Sequence, residues 1–345
     1  MSQMLKSSGN ALQLFAFCCL LLSNTGCGTS GPADKSADST DDVQRVTLAL
    51  NWYAEAEHGG YVAGVKLGYF GESGLDVDIQ QGGPGAPNLV IQELAAGRIQ
   101  FAISSADMVI LARSKGVPIV AVAAPLQNSP RCIMVHKAAG MNSLHDLANV
   151  ELAISDSRPF ALWMKKKLPL TGVTMVPFNG LVGEFLQKPN FAQQAYVFSE
   201  PFVAQENGGD PQTLMLSDIG FNPYSSLLVT TEDVIRNDPT LVKKMVEASV
   251  KGWTAYLDSP DEVNESIHAD NEEMSLASLK FGVETMKPLC QPENGTPLCG
   301  MQPERWATLI QQIEELGEIE TGAVVAAKCF DTSFLPSGTV QGLRP

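Results

Sequence analysis

Short apolar runs and amphipathic stretches alternate along the chain from Val46 onward. Runs such as 46–50, 75–79 and 117–124 predict buried strands. The first two of these runs are each followed by an amphipathic stretch, which predicts a helix. Few residues separate these elements, so the pattern favours βα units and a mainly parallel sheet.

The same pattern continues through most of the chain. The remaining predicted strands are 98–103, 131–135, 150–155, 173–176, 194–198, 213–216 and 227–230. Proline marks the predicted starts of helices at Pro87, Pro239, Pro260 and Pro303, because its ring fits the first helical position. The helix after Pro239 places Trp253 on its apolar face, where a core position is expected.

Two polar segments interrupt the alternation and predict a body with two lobes. Residues 125–130 read as a first crossing between lobes, and 222–226 as the return crossing. One lobe would then contain 46–127 and 227–345, and the other 128–226. We expect each lobe to be a mainly parallel sheet flanked by helices.

The N-terminal segment has the features of an export signal. Lys6 precedes an apolar run at 11–22 that is too short to span a bilayer. We predict a signal peptide over 1–27 with a lipid on Cys27. Asn24 stands where lipoprotein boxes prefer leucine, so ordinary cleavage near Gly26 or Gly28 stays open as an alternative.

Residues 28–45 predict a flexible linker, because 28–42 are small, polar and acidic. The protein would therefore lie in the periplasm or at the cell surface, either anchored to the membrane by lipid or soluble. Cys290 and Cys299 bracket a Pro/Gly loop, and in an oxidising compartment they are candidates for a disulfide.

Composition excludes several classes of function. The formal net charge is −15 and 165–167 is the longest basic run, which argues against nucleic-acid binding. The Cys and His spacings match no metal site, so we expect no metal and no cofactor. The serine hydrolase elbow and the zinc protease helix motif are also absent from the sequence.

Polar and aromatic residues at strand ends predict a ligand cleft, because parallel strands present their carboxyl ends at one edge. Asn51 and Trp52 end the first strand, and His58 lies in the next turn. The complete set of predicted ligand-binding residues is Asn51, Trp52, His58, Tyr61, Ser104, Ser105, Asp107, Arg158, Phe160, Glu200 and Tyr224.

Some of these residues have a purely structural alternative. Ser105 and Asp107 would present free N–H groups of a helix start to an acceptor or anionic group, or would only cap that helix. Glu200 could accept hydrogen bonds from an amino-pyrimidine or simply favour a helix start. His58 could bond to its own turn without touching a ligand.

The segment that includes Leu50-Asn51-Trp52, His58, Tyr69-Phe70 and Gly74-Leu75-Asp76-Val77 resembles a known family. It is similar to the thiamine-pyrimidine precursor branch of the periplasmic substrate-binding proteins, which are related to binding proteins for alkanesulfonates, taurine and nitrate. The resemblance implies a type II-like periplasmic-binding-protein fold with two crossing hinge strands. It also implies an ABC transporter permease as partner and closure of the hinge around the ligand.

The resemblance extends to an enzyme, thiamine pyrimidine synthase, which consumes its own histidine and pyridoxal phosphate held on a lysine. In the segment that matches that lysine and histidine, this chain has Ser104 and Met108. The resemblance therefore implies binding in place of synthesis. Glu55, Glu57 and His58 cluster on one turn, which favours a ligand contact or a solvated loop over a metal site or an acid/base cluster.

The ligand implied by the resemblance is a thiamine pyrimidine precursor of the hydroxymethylpyrimidine or formylaminopyrimidine type. Residue types alone indicate only a planar, partly polar molecule that is uncharged or weakly anionic. Riboflavin-like and other heteroaromatic ligands stay open at this point.

Overall fold

The computed structural model describes residues 43–292 and 296–337. The predicted signal peptide 1–27 with Cys27, and the linker as far as residue 42, lie outside the described residues. So do three residues of the loop between Cys290 and Cys299, at 293–295, and the last eight residues of the chain.

The described residues form ten strands and thirteen helices in an α/β arrangement. The strands are β1 Gln44–Ala49, β2 Leu75–Gln80, β3 Phe101–Ser104, β4 Ile119–Ala123, β5 Arg131–His136, β6 Glu151–Ala153, β7 Thr174–Val176, β8 Phe191–Tyr196, β9 Pro211–Met215 and β10 Leu227–Thr231. The helices of the first half are α1 Gly59–Lys66, α2 Tyr69–Glu72, α3 Ala86–Ala95, α4 Ala106–Ser114, α5 Pro159–Lys167 and α6 Gly183–Gln187. Those of the second half are α7 Glu200–Glu206, α8 Glu232–Asn237, α9 Pro239–Asp258, α10 Asp261–Asp270, α11 Leu276–Met286, α12 Pro303–Glu315 and α13 Ala326–Cys329.

Two five-stranded sheets carry the two lobes, in the orders β2-β1-β3-β10-β4 and β7-β6-β8-β5-β9. In each sheet four strands run in one direction and one runs against them: β10 in the first sheet and β5 in the second. The reversed strand is the one that follows a crossing, because the chain enters each lobe from the hinge. The predicted fold class is confirmed, and the exact lobe boundaries stay a prediction.

The two crossing segments lie side by side. The N–H of Ser225 donates to the carbonyl of Leu126 at 3.2 Å. Ser226 follows with a φ of 51°, a left-handed conformation that is costly for a residue with a Cβ. Its carbonyl accepts a 2.7 Å hydrogen bond from the hydroxyl of Tyr61, which fixes this turn from the first lobe.

The core of the first lobe forms where α9 packs on α1. Gly59 and Gly60 lie beneath the rings of Tyr256 and Trp253, and a Cβ at either glycine would overlap those rings. Trp253 is fully buried and meets Tyr61 edge to face with ring centroids 5.6 Å apart. The prediction of Trp253 as a core residue is therefore confirmed.

Local signals placed several elements correctly. Ser143 and Asp146 form a capping box, in which the carboxylate of Asp146 accepts the N–H of Ser143 at 2.8 Å. Helix α11 was not predicted, because Ser275 replaces the proline that marks its neighbours; its hydroxyl accepts the N–H of Ser278 at 3.1 Å. No helix of the described residues combines the length and apolarity needed to cross a membrane.

Cys290 and Cys299 are free, fully buried thiols in the structure, in place of the predicted disulfide. The loop between them is tied to the first crossing by backbone hydrogen bonds instead. The N–H of Ala124 donates to the carbonyl of Cys299 at 2.8 Å, and the N–H of Gln127 to the carbonyl of Leu289 at 2.8 Å.

Candidate ligand-binding site

A cavity of about 240 Å³ lies between the two sheets. The first lobe lines it with Asn51, Trp52, Glu55, Glu57, Pro84, Gly85, Pro87, Ser105, Asp107 and Met108. The second lobe lines it with Arg131, Ser155, Arg158, Phe160, Phe178, Asn179, Gln194, Ala195, Tyr196 and Glu200. Most of these residues lie at or just beyond the carboxyl ends of β1, β2, β3, β6, β7 and β8, the sheet edge where α/β proteins bind ligands.

Two glutamates of the turn after β1 form an acidic wall. Glu55 is 6% exposed and Glu57 is 1% exposed. The Oε2 of Glu55 accepts a 3.0 Å hydrogen bond from the hydroxyl of Ser199 in the other lobe. The Oε2 of Glu57 accepts a 3.0 Å hydrogen bond from the hydroxyl of Ser226 in the return crossing. Glu55 is thus held by a residue of the second lobe, and Glu57 by a residue of the return crossing.

Burial sets the ionisation of this wall. It raises the pKa of Glu57 to about 7, against the opposing hydrogen bond from Ser226 and the positive charge of Arg131. Burial also raises the pKa of Glu55, with further contributions from the nearby charges of Glu57 and Glu200. The pKa of Glu200 is raised by burial as well, although backbone hydrogen bonds and Arg131 oppose the rise.

Arg131, the first residue of β5, supplies positive charge to the cavity from the second lobe. Its guanidinium carbon lies 4.3 Å from the ring centroid of Phe160 and 4.8 Å from that of Tyr196. One of its N–H groups donates to the hydroxyl of Tyr196 at 3.1 Å. The two rings hold the guanidinium plane in place by cation–π contacts.

His58 lies behind the wall and orients Asn51. Its Nδ1 is placed to accept the N–H of Glu55 at 3.4 Å, which leaves the proton on Nε2 to donate to the Oδ1 of Asn51 at 3.1 Å. Burial lowers the pKa of His58 to about 3, so the ring is neutral near pH 7. Because His58 occupies the amide oxygen of Asn51, the amide nitrogen is the polar group that Asn51 can offer to a ligand in the cavity.

Trp52 contacts the opposite lobe across the cavity. In that lobe Gly180 has a φ of 82°, and a Cβ there would lie 3.3 Å from the Cζ2 atom of the indole. Glycine is required at this position for the left-handed backbone, and it also gives the indole room. The loop after β7 therefore lies close to the indole of Trp52.

Seven of the eleven predicted ligand-binding residues line the cavity: Asn51, Trp52, Ser105, Asp107, Arg158, Phe160 and Glu200. Contact of these seven with a ligand stays a prediction. Glu200 also fulfils its structural alternative, since its Oε2 accepts the N–H of Tyr196 at 2.8 Å and it begins α7.

The other four predicted residues do not line the cavity. His58 and Tyr61 are fully buried, and their polar atoms are engaged by Glu55, Asn51 and Ser226 as described above. Ser104 ends β3 and is buried, because successive residues of an extended chain point to opposite sides and Ser105 takes the side of the cavity.

Tyr224 is also a core residue, contrary to prediction. Its hydroxyl accepts the N–H of Gln302 at 3.0 Å, and the guanidinium of Arg305 lies 3.9 Å from its ring centroid. Its ring packs near Trp306 of α12. Tyr224 therefore joins the return crossing to α12 and has no face toward the ligand.

The start of α4 differs from the predicted anion-binding helix start. The N–H of Ala106 donates to the carbonyl of Tyr224 at 3.0 Å, so it is not free. The hydroxyl of Ser105 donates to the carboxylate of Asp107 at 2.5 Å. This helix start therefore presents a carboxylate to the cavity, and the expectation of a weakly anionic ligand is not supported here.

Sequence reasoning missed most of the second-lobe lining. Arg131 was assigned only as the start of a strand, although it pairs with Tyr196 in the antiparallel register of β5 and β8. Glu55 and Glu57 were noticed as a cluster but not selected. Their position directly after a strand end, in the same turn as Asn51 and Trp52, was the signal that could have identified them.

Within residues 43–292 and 296–337, no group of three or more His, Cys, Asp or Glu side chains is arranged to hold a metal ion. The described cavity lining contains no lysine and no histidine. Its polar groups are carboxylates, amides, hydroxyls and two guanidinium groups, which can donate and accept hydrogen bonds without an activated nucleophile.

Comparison with known proteins gives a family match over residues 55–263, which is more than half of the chain, to the family described as NMT1/THI5 like. A formylaminopyrimidine-binding protein of Halalkalibacterium halodurans is 26% identical over 89% of this chain and 94% of its own length. A 4-amino-5-hydroxymethyl-2-methylpyrimidine phosphate synthase of Legionella pneumophila is 28% identical over 30% of this chain and 32% of its own.

Solved structures share the fold. The periplasmic aliphatic sulphonate-binding protein of Escherichia coli aligns with a TM-score of 0.63 and 11% identity, covering 88% of this chain and 97% of that protein. At this identity the likeness concerns the arrangement of sheets and helices alone.

Proposed function

The chain belongs to the NMT1/THI5-like family, and from this premise we propose that it is the substrate-binding component of an ABC uptake system. It binds a small planar heteroaromatic molecule between its lobes. A thiamine pyrimidine precursor of the hydroxymethylpyrimidine or formylaminopyrimidine type is the proposed ligand. The formylaminopyrimidine-binding relative, matched over nearly its whole length, supports this choice.

The observation that carries the proposal is the composition of the cavity. Trp52 and Phe160 supply ring surfaces from opposite lobes, Glu55 and Glu57 supply buried acceptors, and Glu200 supplies a half-buried one. An amino-pyrimidine offers both a flat ring to stack and N–H groups to donate. Because the acceptors and rings come from both lobes, the ligand is bound completely only when the lobes are closed.

The size of the cavity favours a single-ring ligand. Its volume of about 240 Å³ lies below the range of roughly 300–1,000 Å³ that is typical of drug-sized ligands. A tricyclic riboflavin-like molecule would need a larger site than this cavity provides. One pyrimidine ring with short substituents matches the available space.

The synthase alternative is disfavoured by the same residues. That chemistry needs a lysine for pyridoxal phosphate and a histidine as substrate, and Ser104 and Met108 occupy the matching segment. Met108 lines the cavity, whereas Ser104 is buried behind it. The synthase relative also matches only 30% of this chain. We therefore propose a binding protein and not an enzyme.

The proposed setting is the periplasm or cell surface, with an ABC transporter permease as the partner. Anchoring by lipid on Cys27, or release as a soluble periplasmic protein, are the two forms of this proposal. Mass spectrometry of the membrane fraction distinguishes them, since lipid on Cys27 adds a defined mass to the N-terminal peptide and Cys27→Ser would release the protein.

Calorimetric titration with hydroxymethylpyrimidine, formylaminopyrimidine, thiamine and pyridoxal phosphate tests the function. We expect one-to-one binding of a pyrimidine. Trp52→Ala should weaken it about tenfold to a hundredfold, because stacking of a base on an aromatic side chain contributes about 1–3 kcal/mol. Leu89→Ala, an exposed change on α3 outside the cavity, is the matched control.

Two results would count against the proposal. Binding of pyridoxal phosphate with a Schiff-base absorbance would support the synthase. Failure of all four compounds to bind would remove the pyrimidine assignment. Small-angle scattering with and without the bound compound tests closure, which predicts a smaller radius of gyration in the complex.

A further inference from the structure

The charges that line the cavity are unbalanced. Four carboxyl side chains face it and only two guanidinium groups, those of Arg131 and Arg158. Arg131 is already engaged by Phe160 and Tyr196. Arg158 donates a hydrogen bond to the sulfur of Met108 across the cavity. The acidic side of the cavity therefore lacks a full set of positive partners among the described residues.

Glu57 is a buried side chain, and the described residues provide a hydrogen-bond donor to one of its two carboxylate oxygens. Its Oε2 accepts from Ser226, but no donor of the described residues lies within hydrogen-bond distance of its Oε1. The nearest candidate is Nε2 of His58 at 3.6 Å, whose proton is already donated to Asn51. Since Glu57 is 1% exposed and lines the cavity, this oxygen can be satisfied only from the cavity side.

Buried carboxylates are costly unless a positive group compensates them. Glu55, Glu57 and Glu200 repel one another, and burial together with this repulsion favours their protonated forms. Arg131 opposes this for Glu57 and Glu200. A ligand ammonium group would supply the missing charge and three donors, whereas a hydroxyl group supplies one donor and no charge.

We propose that the cavity selects pyrimidines that carry a protonated primary amine, which binds at Oε1 of Glu57 beside Glu55 and Glu200. This inference rests on the proposed function above, and it replaces the hydroxymethyl or formylamino group of the proposed pyrimidine with a free aminomethyl group. The hydroxymethyl and formylamino compounds bind more weakly than the corresponding free aminomethyl compound, because neither carries a charge at that position.

Binding of the ammonium group also moves protons. The positive charge lowers the proton affinity of the neighbouring carboxyl groups, so those that were protonated in the empty cavity release their protons to the buffer. The groups that face the ammonium and determine this release are Glu55, Glu57, Asp107, Glu200, Arg131 and Arg158. No covalent bond is made or broken.

The test is calorimetric titration of the protein at pH 8 with three pyrimidines that differ only at the exocyclic methylene: 4-amino-5-aminomethyl-2-methylpyrimidine, its hydroxymethyl analogue and its formamidomethyl analogue. We expect the aminomethyl compound to bind at least about tenfold more tightly, the scale of one charge-assisted hydrogen bond. Repetition at pH 6.5 in two buffers of different ionisation enthalpy should show net proton release only for the aminomethyl compound.

Equal or tighter binding of either neutral analogue overturns the inference and leaves the proposed function standing. Failure of all three to bind overturns both. Glu57→Gln should abolish the preference for the amine, because glutamine carries no charge that could compensate the ammonium group. Glu206→Gln, the same change at an exposed position of α7, should keep the preference.

A preference that survives in Glu57→Gln would refute the placement of the amine at Glu57. Thermal unfolding of each variant verifies that it is folded. The comparison among the three compounds in the unaltered protein does not depend on any variant.

Discussion

Replacing Glu57 with glutamine should remove a large part of the pH dependence of stability. The side chain is 1% exposed, and burial raises its pKa from 4.5 to about 7. Each unit of difference in pKa corresponds to about 1.4 kcal/mol, so this rise corresponds to about 3 kcal/mol. Glutamine keeps the shape of the side chain but does not titrate.

The sign follows from proton binding. The folded protein holds the proton of Glu57 more tightly than the unfolded chain does, so the contribution of this group to stability is fully present below about pH 4.5. It is lost progressively as the pH rises to about 7. Loss of the Glu57 charge also weakens the repulsion that raises the pKa of Glu55, which acts in the same direction.

The assay is urea unfolding at pH 4.5 and pH 8, with the unfolding free energy extrapolated to water. We compare the unfolding free energy of Glu57→Gln with that of the unaltered protein at each pH. The variant minus unaltered difference should be larger, in favour of the variant, at pH 8 than at pH 4.5 by about 3 kcal/mol. Glu206→Gln, on the exposed end of α7, should follow the unaltered protein at both pH values. A difference that does not change between the two pH values, or that changes with the opposite sign, would refute the reasoning.

Three further changes test the packing around the site. Trp253→Ala should destabilise the protein by about 3–5 kcal/mol in urea unfolding, because it empties a fully buried core position, and a loss below 1 kcal/mol would contradict that burial. Tyr61→Phe should cost about 1 kcal/mol through the lost hydrogen bond to Ser226 and leave pyrimidine affinity unchanged, so a large loss of affinity in calorimetry would mean that Tyr61 reaches the ligand after all. Gly180→Ala should lower stability by about 1–2 kcal/mol because its φ is 82°, and a stabilised variant would show that the loop over Trp52 is not left-handed.

The positions of most elements were predictable because their signals are local. Prolines at 87, 239, 260 and 303 each lie within the first residues of a helix or directly before one. Strand β8 was predicted at 194–198 and is observed at Phe191–Tyr196. The predicted end lies too late because the turn that follows the strand continues its apolar pattern. Helix α11 lacked a proline and was missed.

The candidate site was predicted in part for the same reason. Asn51, Trp52 and Phe160 lie directly beyond predicted strands or helix starts, so strand ends alone pointed to them. Tyr61 and Tyr224 looked equally suitable as ring platforms. Which way an aromatic side chain faces depends on the element packed against it, α9 for Tyr61 and α12 for Tyr224, and those contacts are distant in sequence.

By itself the sequence determined the α/β class, the two lobes and the edge at which a ligand would bind, because strand and helix periods, helix-start residues and strand ends are properties of neighbouring residues. Only the tertiary structure decided the chemistry of the cavity. Burial in the folded chain raises the pKa of Glu57 to about 7, while Ser226 and Arg131, which are far from it in the sequence, oppose that rise. Electrostatics and burial depend on distance in space, and the fold alone sets those distances.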